Sequence, residues 1–443
     1  MKKTSSLIIQ HLIWRGLYFF SVLILNILIS RFFAAEKSGQ IFYIINNLSF
    51  VLLITGLSLE SGAVYYIASE QVNSGQVARF CMLWTIIAAG LAIIIWWIFF
   101  RPGDFFLLTN PTKIMGASCL YVTGALLTTY FSALFYSQKQ FAIPNKILLV
   151  TNALLILLML IGHAADWMRH NFILIYFAIY FLQGFSIAAL FFSNYGSGSF
   201  PGLPALPVLK KIFRYAMHAL MANALYFLVN RMDYWLVERY CSQADLGNYI
   251  QASKLGQMLL ILPSILSATL FPLLAEADPH QNKSRIIMVA RVLLWINLTG
   301  CVLIAALGSY LIPMIFGLSF DKMYLLFVLL IPGILAFTAN YPLATWFGAA
   351  NRITINIICS VFALMLILLA DLLFLPRYGV NVASVVSSLA YLGYFSISLF
   401  HFRKGSQLRL ADLLLIRKKD LQWLYRQLRS RISLTFPEKT FIS

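Results

Sequence analysis

The chain has 443 residues, 61% hydrophobic and 11% charged, with a formal net charge of +18. Soluble domains are about 45–50% apolar, so a soluble globular protein is excluded and a polytopic membrane protein is expected. The sequence holds no P-loop spacing, no His-Glu-x-x-His and no Cys-x-x-Cys, so neither an ATP site nor a metal site is expected.

A bilayer core takes about 20 apolar residues per helix. By that measure the chain offers about twelve spans: Leu7–Ile29, Ile41–Ala68, Val77–Phe99, Ile114–Tyr136, Ile143–Ile161, Phe172–Ser193, Ile212–Glu238, Leu246–Leu274, Ile286–Leu311, Tyr324–Phe347, Ile355–Leu375 and Val380–Phe402. No small-residue cleavage site follows MKKTSS and its apolar run, so the first span is expected to stay in the protein. The Gly-, Ser- and Pro-rich stretch NYGSGSFPGLPALP parts spans six and seven. The expected division is a six-helix lobe over 1–193, a cytoplasmic linker over 194–209, a second six-helix lobe over 210–402 and a tail over 403–443.

A repeat supports that division. Shifted by 208 residues, Leu17, Tyr18, Phe19, Arg31 and Gly39 fall on Leu225, Tyr226, Phe227, Arg239 and Gly247. Internal repeats of this kind build many transporter folds. The expected fold is an all-α polytopic membrane protein of two pseudo-symmetric lobes. Lys and Arg are biased toward one set of loops and toward the tail, which places both termini in the cytoplasm. Over Gln407–Leu434, leucines at helical spacing alternate with Arg and Lys. This is the pattern of a basic amphipathic helix lying on the anionic leaflet. Its role is either an anchor and topology signal or a dock for glycosyltransferases or a polymerase. Cys81, Cys119, Cys241, Cys301 and Cys359 lie far apart, mostly in apolar runs, and fit small packing residues. Paired aromatics such as Trp96-Trp97 and Tyr234-Trp235 fit interfacial anchors.

Charges inside spans are the functional signal, because each costs at least about 2.5–3.5 kcal/mol at the bilayer centre. In span one, at about 100° per residue, Asn26 stands about 20° from Arg15 and His11 about 40° to its other side. This polar face should meet protein or water rather than lipid. Arg15 either lines a cavity or snorkels to the interface. Span seven carries Asn223, Tyr226 and Asn230 on one face, flanked by Arg231 and Asp233. Residues two apart do not face each other on a helix, so Arg231 and Asp233 each need a partner, with Glu60 and Lys254 as the candidates. Cations outnumber carboxylates in these spans, and Arg binds phosphate oxygens in bidentate fashion. A substrate-binding cationic cavity is therefore expected from Arg15, Arg231, Lys254, Asn223 and Asn230. Glu60 and Asp233 are expected to couple an ion or to form ion pairs.

The stretches GLSLESGAVYYIAS and NRMDYWLVERYCSQADLGNYIQASKLGQMLLILPSILSATLFPLLAEA, set in this pattern of spans, resemble the polysaccharide-transporter branch of the multidrug/oligosaccharidyl-lipid/polysaccharide exporter superfamily. The second is the more specific: Asp233, then Gly247 and Tyr249, then Lys254 and Leu255, then Pro263 and Pro272. The resemblance implies a MATE-like fold and a flippase, not an enzyme. Its substrate would be an undecaprenyl-pyrophosphate-linked oligosaccharide unit of O-antigen, capsule or exopolysaccharide, moved between leaflets of the bacterial inner membrane by alternating access. The partners implied are that lipid-linked sugar, the bilayer, a polysaccharide polymerase and a chain-length regulator, with no nucleic acid. No cofactor is implied beyond H+ or Na+ as a coupling ion. Lipid II flippases resemble the chain but carry two further spans. The alternatives are an ion-coupled exporter of small molecules, which would carry an acidic cavity, and a membrane polymerase or ligase, which would carry a long periplasmic loop.

Overall fold

The computed structural model describes residues 2–68, 72–99, 111–162, 166–195, 202–267, 283–404 and Asp412. The basic tail beyond Lys404, apart from Asp412, residues 196–201 of the linker, Pro272 and the His11 side chain fall outside the described residues. The described chain is helical: α1 (Lys2–Gly56), α2 (Leu59–Ala68), α3 (Ser74–Phe99), α4 (Pro111–Ser137), α5 (Ala142–Gly162), α6 (Asp166–Tyr195), α7 (Leu206–Tyr240), α8 (Gln243–Leu259), α9 (Lys283–Phe316), α10 (Met323–Ala349), α11 (Ile353–Tyr378) and α12 (Asn381–Arg403). Among the described residues, 10 helices are long and apolar enough to cross a membrane. The all-α polytopic fold is thus as expected from the sequence.

Three breaks interrupt these helices, and the sequence ruler passed over two of them. α1 breaks at Ala34, where φ is 56° and ψ is 178°. That conformation is strained for any residue with a Cβ. The freed Ala35 N–H donates to Ser319 Oγ at 3.0 Å. Span two, expected as one helix, is cut at Leu57 and Ser58, whose φ values are 53° and 50°. Span eight is likewise cut at Leu260, whose N–H donates to Gln257 O at 3.1 Å in a turn before a helical run over 261–267. Spans two and eight hold corresponding places in the two repeats. Hydropathy averages over such breaks, because a local turn changes no side chain.

The chain divides into two compact units. The first comprises Met1–Glu238, Ser242–Asn248 and Ile312–Asp321; the second comprises Arg239–Cys241, Tyr249–Leu311 and Lys322–Ser443. In the first unit α4 and α6 run side by side in the same direction. Tyr121 meets Phe177 at 4.8 Å, and Phe135 meets Phe191 at 5.2 Å. Gly124 and Gly184 bring the two backbones together: a Cβ on Gly184 would run into Gly124 O, and one on Gly124 into Tyr180 O. Several polar groups in this core satisfy one another. Thr151 Oγ1 donates to Gln183 Oε1 at 2.9 Å, and Gln183 Nε2 donates to Thr128 Oγ1 at 3.2 Å. Asn152 Nδ2 reaches Ser21 Oγ on α1 at 3.1 Å. Leu and Ile side chains such as Ile86, Ile94 and Ile161 stay exposed, the surface a span presents to lipid.

The second unit packs α12 against α10 and α11. The Phe337 ring sits 4.5 Å from Tyr391, and Ser388 Oγ donates to Leu329 O at 2.6 Å. Asn297 on α9 ties in by donating to Thr338 Oγ1 at 2.7 Å. Buried Lys283, just before the α9 span, donates to Phe402 O at 3.0 Å at the end of α12. Its ammonium also lies over the Trp346 ring at 5.3 Å. Burial, then the Arg352 charge, hold the Lys283 ammonium below the usual lysine pKa. The unfolded chain therefore binds this proton more tightly, and stability should rise as pH climbs through the folded-state value toward the unfolded one. Melting temperatures between pH 7 and 10 should show wild type gaining on Lys283→Met. Parallel pH curves for the two proteins would refute this.

Candidate functional site

In the first unit a polar seam joins the part of α1 beyond Ala34 to α7, and the two run antiparallel. Tyr43 OH donates to Glu238 Oε2 at 3.4 Å. Trp235 Nε1 donates to Asn47 Oδ1 at 2.6 Å. Arg231 Nη1 donates to Asn46 Oδ1 at 3.4 Å. Asn223 Nδ2 donates to Ser58 Oγ at 3.1 Å, at the break before α2. The matched pairs sum to a near-constant register along both helices, so the seam follows directly from antiparallel packing.

Arg231 is half-buried, and its guanidinium lies over the Phe227 ring at 5.2 Å. It finds an amide on span two rather than the expected Glu60 carboxylate. Asp233 is fully buried on the same helix. Asn230 is also buried, and its amide donates to Tyr226 O at 2.7 Å, one turn back on its own helix. Tyr234 and Trp235 are corrected as well. Tyr234 is fully buried and Trp235 packs edge-on against Phe50 at 5.2 Å, so neither is an interfacial anchor. The signal missed was the pair Asn46-Asn47 in span two, two amides that lipid would not accept.

The break at Leu57–Ser58 is held by side chains from three helices. Trp84 Nε1 donates to Thr55 O at 3.1 Å, and Tyr130 OH donates to Gly56 O at 2.9 Å. These two take over helix-end carbonyls that would otherwise lie bare in the membrane, and Asn223 holds the Ser58 hydroxyl beside them. Half-buried Glu60 stands in the first turn of α2, immediately after the break. Broken spans at this depth are where transporters place substrate and coupling-ion sites.

Arg15 is held by a different set of residues. It lies over the Phe19 ring at 5.2 Å and donates to Tyr136 OH at 3.3 Å. Both arginines therefore rest on an aromatic ring one helical turn away, with a neutral oxygen as polar partner. Among the described residues neither has a carboxylate within ion-pair distance. Lys254 belongs to the second unit and is half-buried on α8. That unit also holds a charge the sequence reading passed over: Asp371, fully buried on α11 within ILLADLLFL. Its signal was plain, since a carboxylate inside an apolar span marks a functional site by default. It falls on the buried stripe of Cys359, Ala363, Ile367 and Leu375, four residues apart. Among the described residues no group of His, Cys, Asp and Glu could hold a metal ion.

The family described as polysaccharide biosynthesis protein matches residues 113–325. No curated protein matches the chain in sequence. Among solved structures, the lipid II flippase MurJ in an inward closed conformation is 15% identical, with a TM-score of 0.63 over 98% of this chain and 93% of that one. The Vibrio cholerae MATE transporter VcmN in its bent form is 14% identical, with a TM-score of 0.60 over 91% and 98%. A MOP superfamily transporter from Pyrococcus furiosus, described by the reverse polarity of its binding pocket, is 11% identical, with a TM-score of 0.59 over 90% and 94%. The resemblance drawn from the sequence is borne out: over residues 113–325 the chain matches the polysaccharide biosynthesis proteins, and it shares its fold with the MurJ and MATE structures.

Proposed function

We propose that this multi-pass membrane protein is a flippase for lipid-linked oligosaccharide units carried on a polyprenyl pyrophosphate. It would move them from the cytoplasmic to the periplasmic leaflet of the bacterial inner membrane, with both termini in the cytoplasm. The observation that carries the reading is the state of Arg15 and Arg231. Both guanidiniums sit within spans, on aromatic rings and neutral oxygens, with no carboxylate of the described residues in ion-pair range. A half-buried cation inside a span without an anion is costly, and a pyrophosphate arriving with the substrate supplies that anion in bidentate form. The family match and the fold support the same class of substrate.

Glu60 beside the span-two break, buried Asp233 on α7 and buried Asp371 on α11 are the carboxylates through which H+ or Na+ would couple. Asn223 and Asn230 would line the cationic surface of the first unit, and Lys254 would offer a cation of its own in the second. The process is transport, not catalysis. Periplasmic assembly by a polymerase and chain-length regulator would follow.

Cells deleted for the protein should accumulate lipid-linked repeat units on the cytoplasmic leaflet, and wild type supplied in trans should clear them. Leaflet-specific labelling of the extracted lipid-linked sugar checks this. Deleted cells that accumulate no such lipid would sink the substrate assignment.

A further inference from the structure

We propose that the exposed face of α7 from Tyr215 to Tyr226, with Tyr65 of α2 laid against it, is a subsite for a sugar ring of the lipid-linked oligosaccharide. The identity of the ligand rests on the flippase reading. The stacking residues, Tyr65 and Tyr215, have no part in the pyrophosphate contacts given to Arg15 and Arg231.

The packing of α2 on α7 builds the platform. The Tyr65 and Tyr215 rings are stacked, with centroids 4.9 Å apart and planes 14° from parallel. Tyr66 stands edge-on to Tyr65 at 5.1 Å and to Tyr215 at 6.5 Å. Gly62 permits the close approach, since a Cβ there would lie 2.8 Å from Ile212 O. The stack continues the antiparallel register of the seam past the break at Leu57–Ser58. Even so, the Tyr65 and Tyr215 side chains stay 51% and 41% exposed. Stacking covers one face of each ring, and the exposure that remains lies outside the stack.

Hydrogen-bonding groups adjoin the rings. At about 100° per residue, His218 and Tyr226 fall within about 60° of Tyr215 on α7, and Asn223 within about 80°. All four are exposed. His218 Nδ1 lies 2.7 Å from Arg214 O. A carbonyl only accepts, so Nδ1 carries the proton, and Nε2 of the neutral ring is left as an acceptor. Asn223 commits its amide N–H to Ser58 Oγ, which leaves the amide oxygen to accept. A sugar ring offers the complement: a face of C–H groups and a rim of hydroxyl donors. The face of an aromatic ring is the negative part of its quadrupole. It attracts C–H groups and repels an anion, so the stack suits the sugar rather than the pyrophosphate.

This face is too long for an interfacial belt. From Tyr215 to Tyr226 it runs about 16 Å at about 1.5 Å per residue, roughly half of a hydrocarbon core about 30 Å thick. Aromatic belts sit at headgroup level. The α3 helix shows what lipid selects, since its exposed positions include Ile86, Leu91 and Ile94. An exposed imidazole and an exposed amide within a span belong in water. A wet face with aromatic plates, in a chain whose residues 113–325 match the polysaccharide biosynthesis proteins, favours a carbohydrate.

The experiment compares equilibrium binding of two radiolabelled lipids to the full chain in phosphatidylcholine nanodiscs. One is the lipid-linked repeat unit extracted from cells deleted for the protein; the other is undecaprenyl pyrophosphate without sugar. Wild type should bind the sugar-bearing lipid at least about fivefold more tightly, and Tyr65→Leu and Tyr215→Leu should each lose about fivefold of that affinity, the scale of one aromatic face contact. Both variants should bind the sugarless lipid as wild type does. Tyr65→Phe keeps the ring and should keep the affinity. Equal wild-type affinity for the two lipids, or full affinity for the sugar-bearing lipid in both leucine variants, would overturn the proposal and leave the flippase reading standing. Equal losses for both lipids in those variants would assign the stack to helix packing alone. No binding of either lipid by wild type, or deleted cells that hold no such lipid, would sink the subsite and the flippase reading together.

Discussion

Gly184→Val should leave little folded protein in the membrane. The Gly184 Cα faces Gly124 across the α4–α6 crossing, and any Cβ there would overlap the Gly124 carbonyl oxygen. The obstacle is backbone, so no rotamer change relieves it. The two helices would have to separate along a contact that also seats Tyr121, Phe131, Phe135, Phe177 and Phe191. Overpacking a flexible core costs about 1–3 kcal/mol, and occasionally more; a backbone-to-backbone clash belongs at or above the top of that range. Gly184→Ala should be damaging in the same direction. Size-exclusion profiles of detergent extracts give the readout. A monodisperse peak of wild-type height for Gly184→Val would mean that the crossing is looser than its geometry states.

Arg231→Ala should reduce clearance of lipid-linked repeat units by about tenfold or more, at equal protein level. A hydrogen bond to a charged group contributes about 1.5–3 kcal/mol, and each 1.36 kcal/mol is about tenfold in rate. Arg231→Lys keeps the charge but loses the planar fork and its stacking on Phe227, so it should fall between the two. Asn46→Ala distinguishes the alternatives. If Arg231 serves only to tie α7 to span two, losing its 3.4 Å partner should do as much harm as losing the arginine. If Arg231 binds substrate, Asn46→Ala should be far milder. Equal losses in the two variants would assign Arg231 to structure.

The spans, their order and the intramembrane polar residues were legible because hydrophobic length and misplaced charge are properties of sequence. Lys254, Asn223, Asn230 and Asp233 were all visible for that reason. What each polar group touches was not, since that depends on register between helices far apart in sequence. Arg231 was expected to meet a carboxylate on span two; it meets the Asn46 amide there instead. Tyr234 and Trp235 looked like interfacial aromatics because they pair near a span end, yet Tyr234 is buried and packing against Asn47 and Phe50 draws Trp235 inward. Asp371 is concealed by its surroundings, since one carboxylate barely lowers the hydropathy of so apolar a span. The 208-residue shift did carry spatial information: the two glycines it matches, Gly39 and Gly247, lie against each other, with a Cβ on Gly39 only 2.8 Å from Gly247 Cα.

The cut at Leu57–Ser58 has a mechanical consequence. A continuous helix is a stiff rod, and a twist applied at one end is felt at the other. Two left-handed residues remove that stiffness, so α2 can turn about the joint without rotating α1. The joint is nonetheless tethered by Trp84, Tyr130 and Asn223, which come from α3, α4 and α7. Trp84 and Tyr130 hold the α1 end of the joint still, at Thr55 and Gly56, so a swing of α2 pulls on α7 through Ser58 or lets go of that one hydrogen bond inside the bilayer. A movement of one short ten-residue lever, carrying Glu60 at its pivot, is geared to α7 and braced against a fixed α1.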